Sequence, residues 1–571
     1  MGNSKIWSKR ARTGPGGVAL AILLFCTATT GAQPMAPGSD GPRSPDGTEI
    51  ERRVPQPAPL LRPPPTTATP IPEAPPATTP EIPETFVVAA ILFDGATVFE
   101  SDAFIPLYRD LLARPIERRD LAALAEAVTE MYYDAGYTLS RAYVPPQDIQ
   151  AGVVTIRVAE GFVERVRFEG DAGDAEVARR HADALTAERP LRRSTLERQM
   201  LLLGDLFGLR VEDARLRPIE AEAGRYELTL DLRHKPVDAY GYLDNRGTRS
   251  YGPLQLWTSA GVNAIGTGAW RAQVGFLTVP NTPREVLYAQ GVLARTLGDD
   301  GTVGRFTVSG SRNIAGRPLK GSDSETSSSR FQATLSHPFR RSRTESLWGN
   351  LHVDALTSKE ERFQRNSFED HLRVVRPGFY YYRADNWGGE NGANLEASFG
   401  VSGLGASHQG PERSRSDADT SFRKLRLDAW RNQNLSGPWS LNLQLSGQTS
   451  DHPLLSSEEF TLGGSRYGRG YDPSVISGDR ALAGALELRF TERIDGSLSD
   501  YQIYSFYDAG RISNGNIDTN ARHRLASTGA GVRLTFEPAI RVNLELAKPL
   551  NAVEGREDRE WRTFFTLAAE F

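Results

Sequence analysis

Residues 439–448 read WSLNLQLSGQ, and this stretch decides the fold class. Apolar and polar side chains alternate at every position, which is the period of a β-strand with one apolar and one polar face. The same alternation recurs in WRAQVGF (270–276) and LWGNLHVDA (347–355), and it persists from Val237 to Phe571. At roughly 21 residues for a strand and its connection, this length predicts about 16 strands.

The two faces of these strands favour a barrel in a membrane over a water-soluble β-domain. The apolar faces mix Leu and Val with Ala and Gly, which lipid tolerates, whereas the polar faces carry Arg, Glu, Asp and Gln, which suit a wet lumen. Sheets with this many strands usually close or split. The last stretch, WRTFFTLAAEF (561–571), ends on an aromatic residue, as outer-membrane strands commonly do. We therefore predict a mainly β fold with a 16-stranded antiparallel transmembrane β-barrel over 237–571.

The amino-terminal 84 residues are typical of an export signal followed by a tether. Four basic residues precede an apolar run at 18–26, and small residues at 30–32 offer a cleavage site, so 1–32 is predicted to be a signal peptide. Cys26 is the chain's single cysteine, so the mature protein would have none. Residues 33–84 hold 16 of the 36 prolines, which predicts an extended or disordered tether, or else a ligand for a proline-binding partner. Within it, only GTEIERRV (47–54) could form a short plug helix.

Two small α/β modules are predicted in tandem between tether and barrel. FVVAAILF (86–93) predicts a buried strand, and apolar residues at helical spacing predict helices over 104–112 and 121–132. Two strands follow in SRAYVP and GVVTIRVAEG, which completes a β-α-α-β-β unit over 85–162. VERVRFEG (163–170), two helical stretches and two further strands repeat the unit over 163–236.

Stretches of the first module resemble a known family. FDGATVF (93–99), AGYTLSRAYVPPQDI (135–149) and GVVTIRVAEGFV (152–163) are similar to the first POTRA (polypeptide-transport-associated) domain of the outer-membrane transporters of two-partner secretion, of the haemolysin secretion/activation and filamentous-haemagglutinin-transporter type. The resemblance implies a barrel in the outer membrane with both POTRA modules in the periplasm. It also implies a large exported partner of haemolysin, haemagglutinin or adhesin type, and assembly by the barrel-assembly machinery into outer-membrane lipid.

The stretch LGGSRYGRGYDPSVISGD (462–479) resembles the family's sixth extracellular loop, which folds back into the barrel, near 462–480 here. Its tip would be Arg469, Gly470 and Tyr471, with Gly468 where the family usually has an apolar residue. YSFYDAGRI (504–512) matches the family's strand motif F-x-D-x-G. The residues that carry that motif are Phe506, Asp508 and Gly510.

The resemblance implies that Arg469 reaches Asp508 in the lumen. The chemistry agrees, because an arginine in a confined pore needs an inward carboxylate. Asp508 is the first candidate, and Glu487, on the polar face of GALELRF (484–490), is the second. The alternative is a solvent loop whose arginines meet lipopolysaccharide phosphates.

Partner recognition is expected at the first module, because a free sheet edge can bind an extended chain by strand addition. Side-chain pockets beside the edge would supply specificity, and the candidate residues are Tyr143, Pro145, Pro146, Gln147 and Ile149. For the Pro-Pro-Gln stretch, a rigid turn that only holds the module's shape is the alternative.

The function predicted is an outer-membrane pore that translocates a large partner protein from periplasm to cell surface. An insertase-like assembly factor and a diffusion porin are the alternatives. We predict no enzyme, cofactor or metal site, because the eight histidines are scattered and no H-E-x-x-H, G-x-S-x-G or Walker-type motif is present. Loss of the signal's four basic residues takes the formal net charge from −4 to −8, which argues against a nucleic-acid partner.

Overall fold

A computed structural model of the chain describes residues 85–149, 151–171, 175–220, 223–248, 251–316, 324–363, 365–514, 522–537, 539–553 and 559–571. The predicted signal peptide, the proline-rich tether and the GTEIERRV stretch lie outside the described residues. Among the residues described, no helix combines the length and the apolar character needed to cross a membrane.

The first module places helices on one three-stranded sheet. Its elements are β1 (Thr85–Val87), β2 (Ala90–Asp94), α1 (Ile105–Tyr108), β3 (Pro115–Glu117), α2 (Arg118–Asp134), β4 (Arg141–Tyr143) and β5 (Val153–Ala159). β5 lies between β2 and β4, parallel to the first and antiparallel to the second, and β1 pairs with β3 beside them. The outer strands of the sheet are therefore β2 and β4.

The second module repeats this topology. Its elements are β6 (Phe162–Gly170), α3 (Glu176–Ala187), α4 (Arg193–Asp205), β7 (Leu209–Glu220) and β8 (Arg225–His234). β8 lies between β6 and β7, parallel to β6 and antiparallel to β7. The predicted β-α-α-β-β order thus appears twice before the barrel begins at Val237.

Two expectations for the first module are wrong in detail. The strand expected over 86–93 is two strands, because Val88 leaves the ladder to form a bridge with Leu112. The helix expected over 104–112 is a single turn, Ile105–Tyr108, flanked by 3₁₀ turns. Its proline stands in the first turn, where the missing N–H does no harm, and the chain extends again at Leu112 to meet Val88.

Each module has its own apolar core. In the first, the buried face of α2 packs against β5, with Val128, Val154 and Ile156 fully buried. In the second, Leu228 and Leu230 of β8 are fully buried beneath α3 and α4. Burying one such side chain stabilises the fold by about 1.5–3 kcal/mol.

Sixteen antiparallel strands close into a barrel, as predicted. They are β9 (Val237–Asp244), β10 (Gln255–Ile265), β11 (Ala269–Thr278), β12 (Val286–Leu297), β13 (Thr302–Ile314), β14 (Glu325–Arg341), β15 (Glu345–Arg362), β16 (Arg365–Ala384), β17 (Gly389–Gly400), β18 (Arg423–Asn434), β19 (Trp439–Ser450), β22 (Arg480–Arg493), β23 (Leu498–Ser513), β24 (Arg522–Phe536), β25 (Ile540–Pro549) and β26 (Arg562–Glu570); β20 (Phe460–Leu462) and β21 (Ile476–Gly478) form a hairpin of their own. β26 pairs with β9, and Phe571 exchanges backbone hydrogen bonds of 2.8 and 3.0 Å with Ala239.

The barrel is apolar outside and polar inside. On β19, Trp439 is 43% exposed whereas Asn442 is 6% exposed, and Ser446 is fully buried. β9 starts at the end of the barrel where the second module enters, so connections alternate between that end and the far end. The connection between β19 and β22 is the sixth at the far end.

Candidate functional site in the barrel lumen

The connection between β19 and β22, residues 451–479 and called loop six below, folds back into the lumen. Its β20–β21 hairpin packs against the wall through Leu462, and the Tyr467 hydroxyl lies 2.8 Å from Ser446 Oγ of β19. Gly463 turns the chain with a φ of +107°, and a Cβ there would lie 2.1 Å from the Asp472 carbonyl oxygen. Only glycine fits such a conformation and approach without strain.

Arg469, at the tip of loop six, is held by acidic side chains of the barrel wall. It is 6% exposed, and its Nη1 donates a hydrogen bond of 2.7 Å to Glu487 Oε2 of β22. Nη1 also lies 3.5 Å from Glu545 Oε2 of β25, and Nε lies 3.7 Å from Asp508 Oδ2 of β23. The guanidinium stands over the Phe506 ring at 4.2 Å from its centroid, a cation–π contact.

Asp508 binds the backbone of the tip more closely than the side chain. Gly468 N–H donates to its Oδ1 at 2.6 Å, and Arg469 N–H lies 3.4 Å from its Oδ2. Ser527 Oγ donates to the same carboxylate at 2.7 Å. Asp508 therefore fixes where the tip sits, and Glu487 receives the arginine's direct hydrogen bond, which reverses the order of partners expected from the sequence.

Gly468, the departure from the family pattern, has a conformational reason. Its φ is +77°, and a Cβ would lie 3.1 Å from Gly463 Cα and 3.2 Å from Leu525 Cδ1. A residue with a side chain would have a strained backbone here. Its side chain would also crowd the stem of loop six, which is residues 456–463 and 475–479.

The other motif residues shape the wall and the tip around the arginine. Gly470 passes so close to β25 that a Cβ would lie 2.7 Å from Pro549 N, and the Tyr471 hydroxyl lies 2.8 Å from the Asn551 carbonyl oxygen. A Cβ at Gly510 would lie 2.7 Å from Leu462 Cδ1 of the loop stem. Because Gly510 and Gly470 have no side chain, loop six can lie close to the barrel wall at two positions along the lumen.

Several charged residues of this site were missed from the sequence. Arg533 Nη1 and Arg489 Nε donate to Glu487 Oε1 at 2.7 and 2.6 Å, so Glu487 serves three arginines. Glu545 also binds Arg246 of the first far-end connection at 2.6 Å. The alternation of RVNLELAKP (541–549) offers a signal for Glu545, which stands between outward Leu544 and Leu546.

Some of the recognition residues expected in the first module make contacts within the module. The Gln147 side-chain amide accepts from Thr155 N–H and donates to Thr155 O, both at 2.7 Å, so it pairs with β5 as a short strand would. Ile149 packs against the module core, and Tyr143, on edge strand β4, bonds with Arg157. Pro145 accepts a weak contact from Gln147 at 3.4 Å and Pro146 is exposed, which favours the rigid-turn alternative for this stretch.

The family-like stretches of the first module meet at Glu160. Its carboxylate accepts from Thr97 N–H at 2.6 Å, Val98 N–H at 2.8 Å and the Tyr132 hydroxyl at 2.7 Å. Burial opposes its ionisation, but these hydrogen bonds outweigh it and hold the pKa of Glu160 below its usual value. The carboxylate therefore ties the 95–98 turn to α2.

Comparisons with known proteins point to one family. The model for POTRA domain, ShlB-type, matches residues 86–161, and that for haemolysin secretion/activation protein ShlB/FhaC/HecB matches residues 306–534. The heme/hemopexin transporter protein HuxB of Haemophilus influenzae is 22% identical over 79% of this chain and 81% of its own length. The outer membrane transporter CdiB of Escherichia coli is 30% identical over 34% of this chain and 33% of its own.

Solved structures share the fold. CdiB from Escherichia coli superposes with a TM-score of 0.70 at 20% identity, over 89% of this chain and 94% of that one. CdiB from Acinetobacter baumannii gives a TM-score of 0.61 at 16% identity, over 92% and 96%. With two POTRA-like modules ahead of a 16-stranded barrel, and with these two family-model matches, the chain is similar to the outer-membrane transporters of two-partner secretion.

Proposed function

We propose that this transporter exports one large partner protein from the periplasm to the cell surface, with loop six as the latch of its pore. The observation that carries the proposal is the buried arginine of an extracellular loop, held inside the lumen by Glu487, Asp508 and Glu545. Beside loop six a cavity of about 1270 Å³ remains, lined largely by polar and charged side chains. A chain that threads the barrel needs loop six to shift.

Ion pairs suit a latch better than apolar packing does. A buried ion pair is held only as long as its geometry is complete, because each ion would otherwise regain favourable hydration. Here Arg469, Glu487 and Glu545 line the polar cavity, so water and a passing chain can replace the wall carboxylates one at a time. The latch can therefore open without unfolding the barrel.

Capture of the partner is proposed at the first POTRA module. The outer strand β2 offers an edge for strand addition, and its Leu92 is exposed, whereas on β4 the Ala142 N–H already donates to Thr129 Oγ1 of α2 at 2.9 Å. Tyr143 on β4 remains the candidate side chain for specificity, and Pro145, Pro146, Gln147 and Ile149 would act indirectly by holding the edge in shape.

Export would be driven by folding of the partner outside the cell, and we propose that the chain is a transporter with no catalytic role. We also propose that the barrel-assembly machinery inserts this barrel into the outer membrane. The insertase and porin alternatives are not favoured, because the matching relatives are named as transporters and a porin would leave two folded modules without a task.

The experiment that tests the proposal compares culture supernatants of cells with and without this chain. We expect one large polypeptide to disappear on deletion and to return with the intact chain but not with Arg469→Ala. Arg466→Ala is the matched control, because Arg466 lies on the same loop, is half exposed and pairs with Asp428 at 3.0 Å. Normal secretion by Arg469→Ala in a folded barrel would contradict the latch, and an unchanged supernatant on deletion would contradict the function.

A further inference from the structure

A second cluster of buried ions lies in the lumen away from the tip of loop six. Its centre is Glu458, in a 3₁₀ turn at the start of loop six (Ser456–Glu458), which is 3% exposed. Both terminal nitrogens of Arg376, on β16, donate hydrogen bonds to this carboxylate, at 2.6 and 3.0 Å. Lys424 of β18 contacts it as well and lies 3.3 Å from the Glu458 carbonyl oxygen.

The wall holds Arg376 ready for this contact. Arg376 Nε donates to Asp354 of β15 at 2.8 Å, and its Nη1 donates to Ser398 of β17 at 2.8 Å. The guanidinium therefore has fixed partners on both neighbouring strands. Two donors remain aimed at the loop, in the bidentate geometry that arginine makes with carboxylates.

The loop contributes a cation to one cluster and a carboxylate to the other, and the two clusters are separate in position. At the tip, a loop cation enters a group of wall carboxylates on β22, β23 and β25. At the stem, a loop carboxylate enters a pair of wall cations on β16 and β18. β19 lies between the two sets of strands.

We propose that Glu458 is a positioning residue that keeps the stem of loop six inside the lumen while the tip is released, so that the latch returns to its site after export. The proposal rests on the proposed function of loop six and adds a second anchor to it. The tip then moves on a stem that stays bound at Glu458, next to the pairs that Arg415 makes with Glu459 and Asp479 of the same loop.

The test is a thiol-accessibility measurement on the full-length protein in outer membranes. Ile476→Cys, in β21 of the stem, is buried, and the predicted mature chain has no other cysteine. Its labelling by a membrane-impermeant maleimide reports how often the stem leaves the lumen. We expect Glu458→Gln to raise the labelling rate by at least about tenfold, whereas Arg469→Ala alone raises it little. Glu361→Gln, an exposed carboxylate paired with Lys359, is the matched control and should leave it unchanged.

A double-mutant cycle separates positioning from general damage. If Glu458 acts through Arg376, then Arg376→Gln raises the rate as Glu458→Gln does, and the double variant is no faster than either, because the same contact is lost. Additive rates, or a rate for Glu458→Gln equal to that of the parent in a barrel that still shows heat-modifiable migration, would overturn the second anchor. If that happens while Arg469→Ala still blocks secretion, the proposed function stands; faster labelling with no polypeptide lost on deletion would leave the anchor standing and overturn the function.

Discussion

The POTRA modules and the barrel lumen bury opposite kinds of side chain. In the modules, Leu228 and Val154 are fully buried among other apolar residues. In the lumen, Arg469, Glu487 and Asp508 are as deeply buried, but their contacts are ionic. Apolar burial is non-directional and gives a stable core, whereas ion pairs depend on exact partners and can exchange them with water. We therefore expect the modules to be rigid and the ionic contacts in the lumen to break and re-form.

Loss of Glu487 should damage the lumen most. Glu487→Gln removes the one carboxylate shared by Arg469, Arg489 and Arg533, and breaking a buried pair costs about 3–5 kcal/mol. Asp508→Asn keeps an acceptor for the Gly468 N–H and should cost less. Maleimide labelling of a cysteine placed at the tip of loop six, not in its stem, measures both, and a larger effect for Asp508→Asn would reverse the ranking of the two partners.

A cavity in the second module should be the next largest effect and should stay local. Leu228→Ala removes a fully buried side chain, which typically costs about 2–5 kcal/mol. We expect the periplasmic modules to become sensitive to protease while the barrel keeps its heat-modifiable migration. An exposed apolar residue, Leu92→Ala, serves as the control for stability. Loss of barrel migration in Leu228→Ala would show that the two regions do not fold independently.

The junction between the regions combines both kinds of contact. Arg341 of the barrel is buried and donates hydrogen bonds of 2.8 and 2.7 Å to the Asp205 carboxylate of α4, while Glu197 accepts from Arg343 N–H. Asp205→Asn should weaken this docking by about 1.5–3 kcal/mol. Faster cleavage beside the 235–236 connection by a broad-specificity protease measures it, and Asp213→Asn, which breaks an exposed pair worth about 0–1 kcal/mol, is the control. Equal proteolysis in both variants would mean that the ion pair does not hold the module.

The stability of the second module should depend weakly on pH because of a histidine beside that junction. Burial lowers the pKa of His181, whose Nδ1 lies 2.7 Å from Gln199 Oε1, so the folded module keeps the neutral ring. Because the unfolded chain binds the proton more readily, stability is present above the ordinary histidine pKa of about 6.5 and falls as the pH drops below it. His181→Gln should flatten thermal stability of the second module between about pH 7.5 and about pH 5.5. An unchanged slope would exclude His181 as its source.

The sequence was sufficient for the parts of the fold that repeat along the chain. Alternation over hundreds of residues predicted the 16-stranded barrel, because each strand must satisfy lipid on one side and water on the other. The length of the helix at Ile105–Tyr108 was overestimated, because Leu112 forms a bridge with Val88. This bridge is a tertiary contact, which the periodicity of the sequence does not predict.

Two partners of Arg469 inside the lumen, Asp508 and Glu487, could be named from the sequence, but their order could not be predicted. That Arg469 needs a carboxylate follows from its chemistry, but which inward carboxylate lies at the depth of the tip is set by strand register. Glu487 of β22 stands opposite Phe506, and Glu545 of β25 stands opposite Phe564, with two strands between β22 and β25. The Glu458–Arg376 contact joins residues that are 82 positions apart, with three barrel strands between them in the sequence. No local sequence pattern predicts this contact.

The central claim, that loop six must move for the partner to pass, is tested by holding the loop to the wall. Ser446 of β19 and Tyr467 of loop six touch at 2.8 Å, so Ser446→Cys with Tyr467→Cys can be joined by a short, cleavable thiol crosslinker. We predict that secretion of the partner by this variant stops on crosslinking and resumes when the linker is cleaved. Secretion that continues at its full rate with the loop covalently fixed would contradict the account.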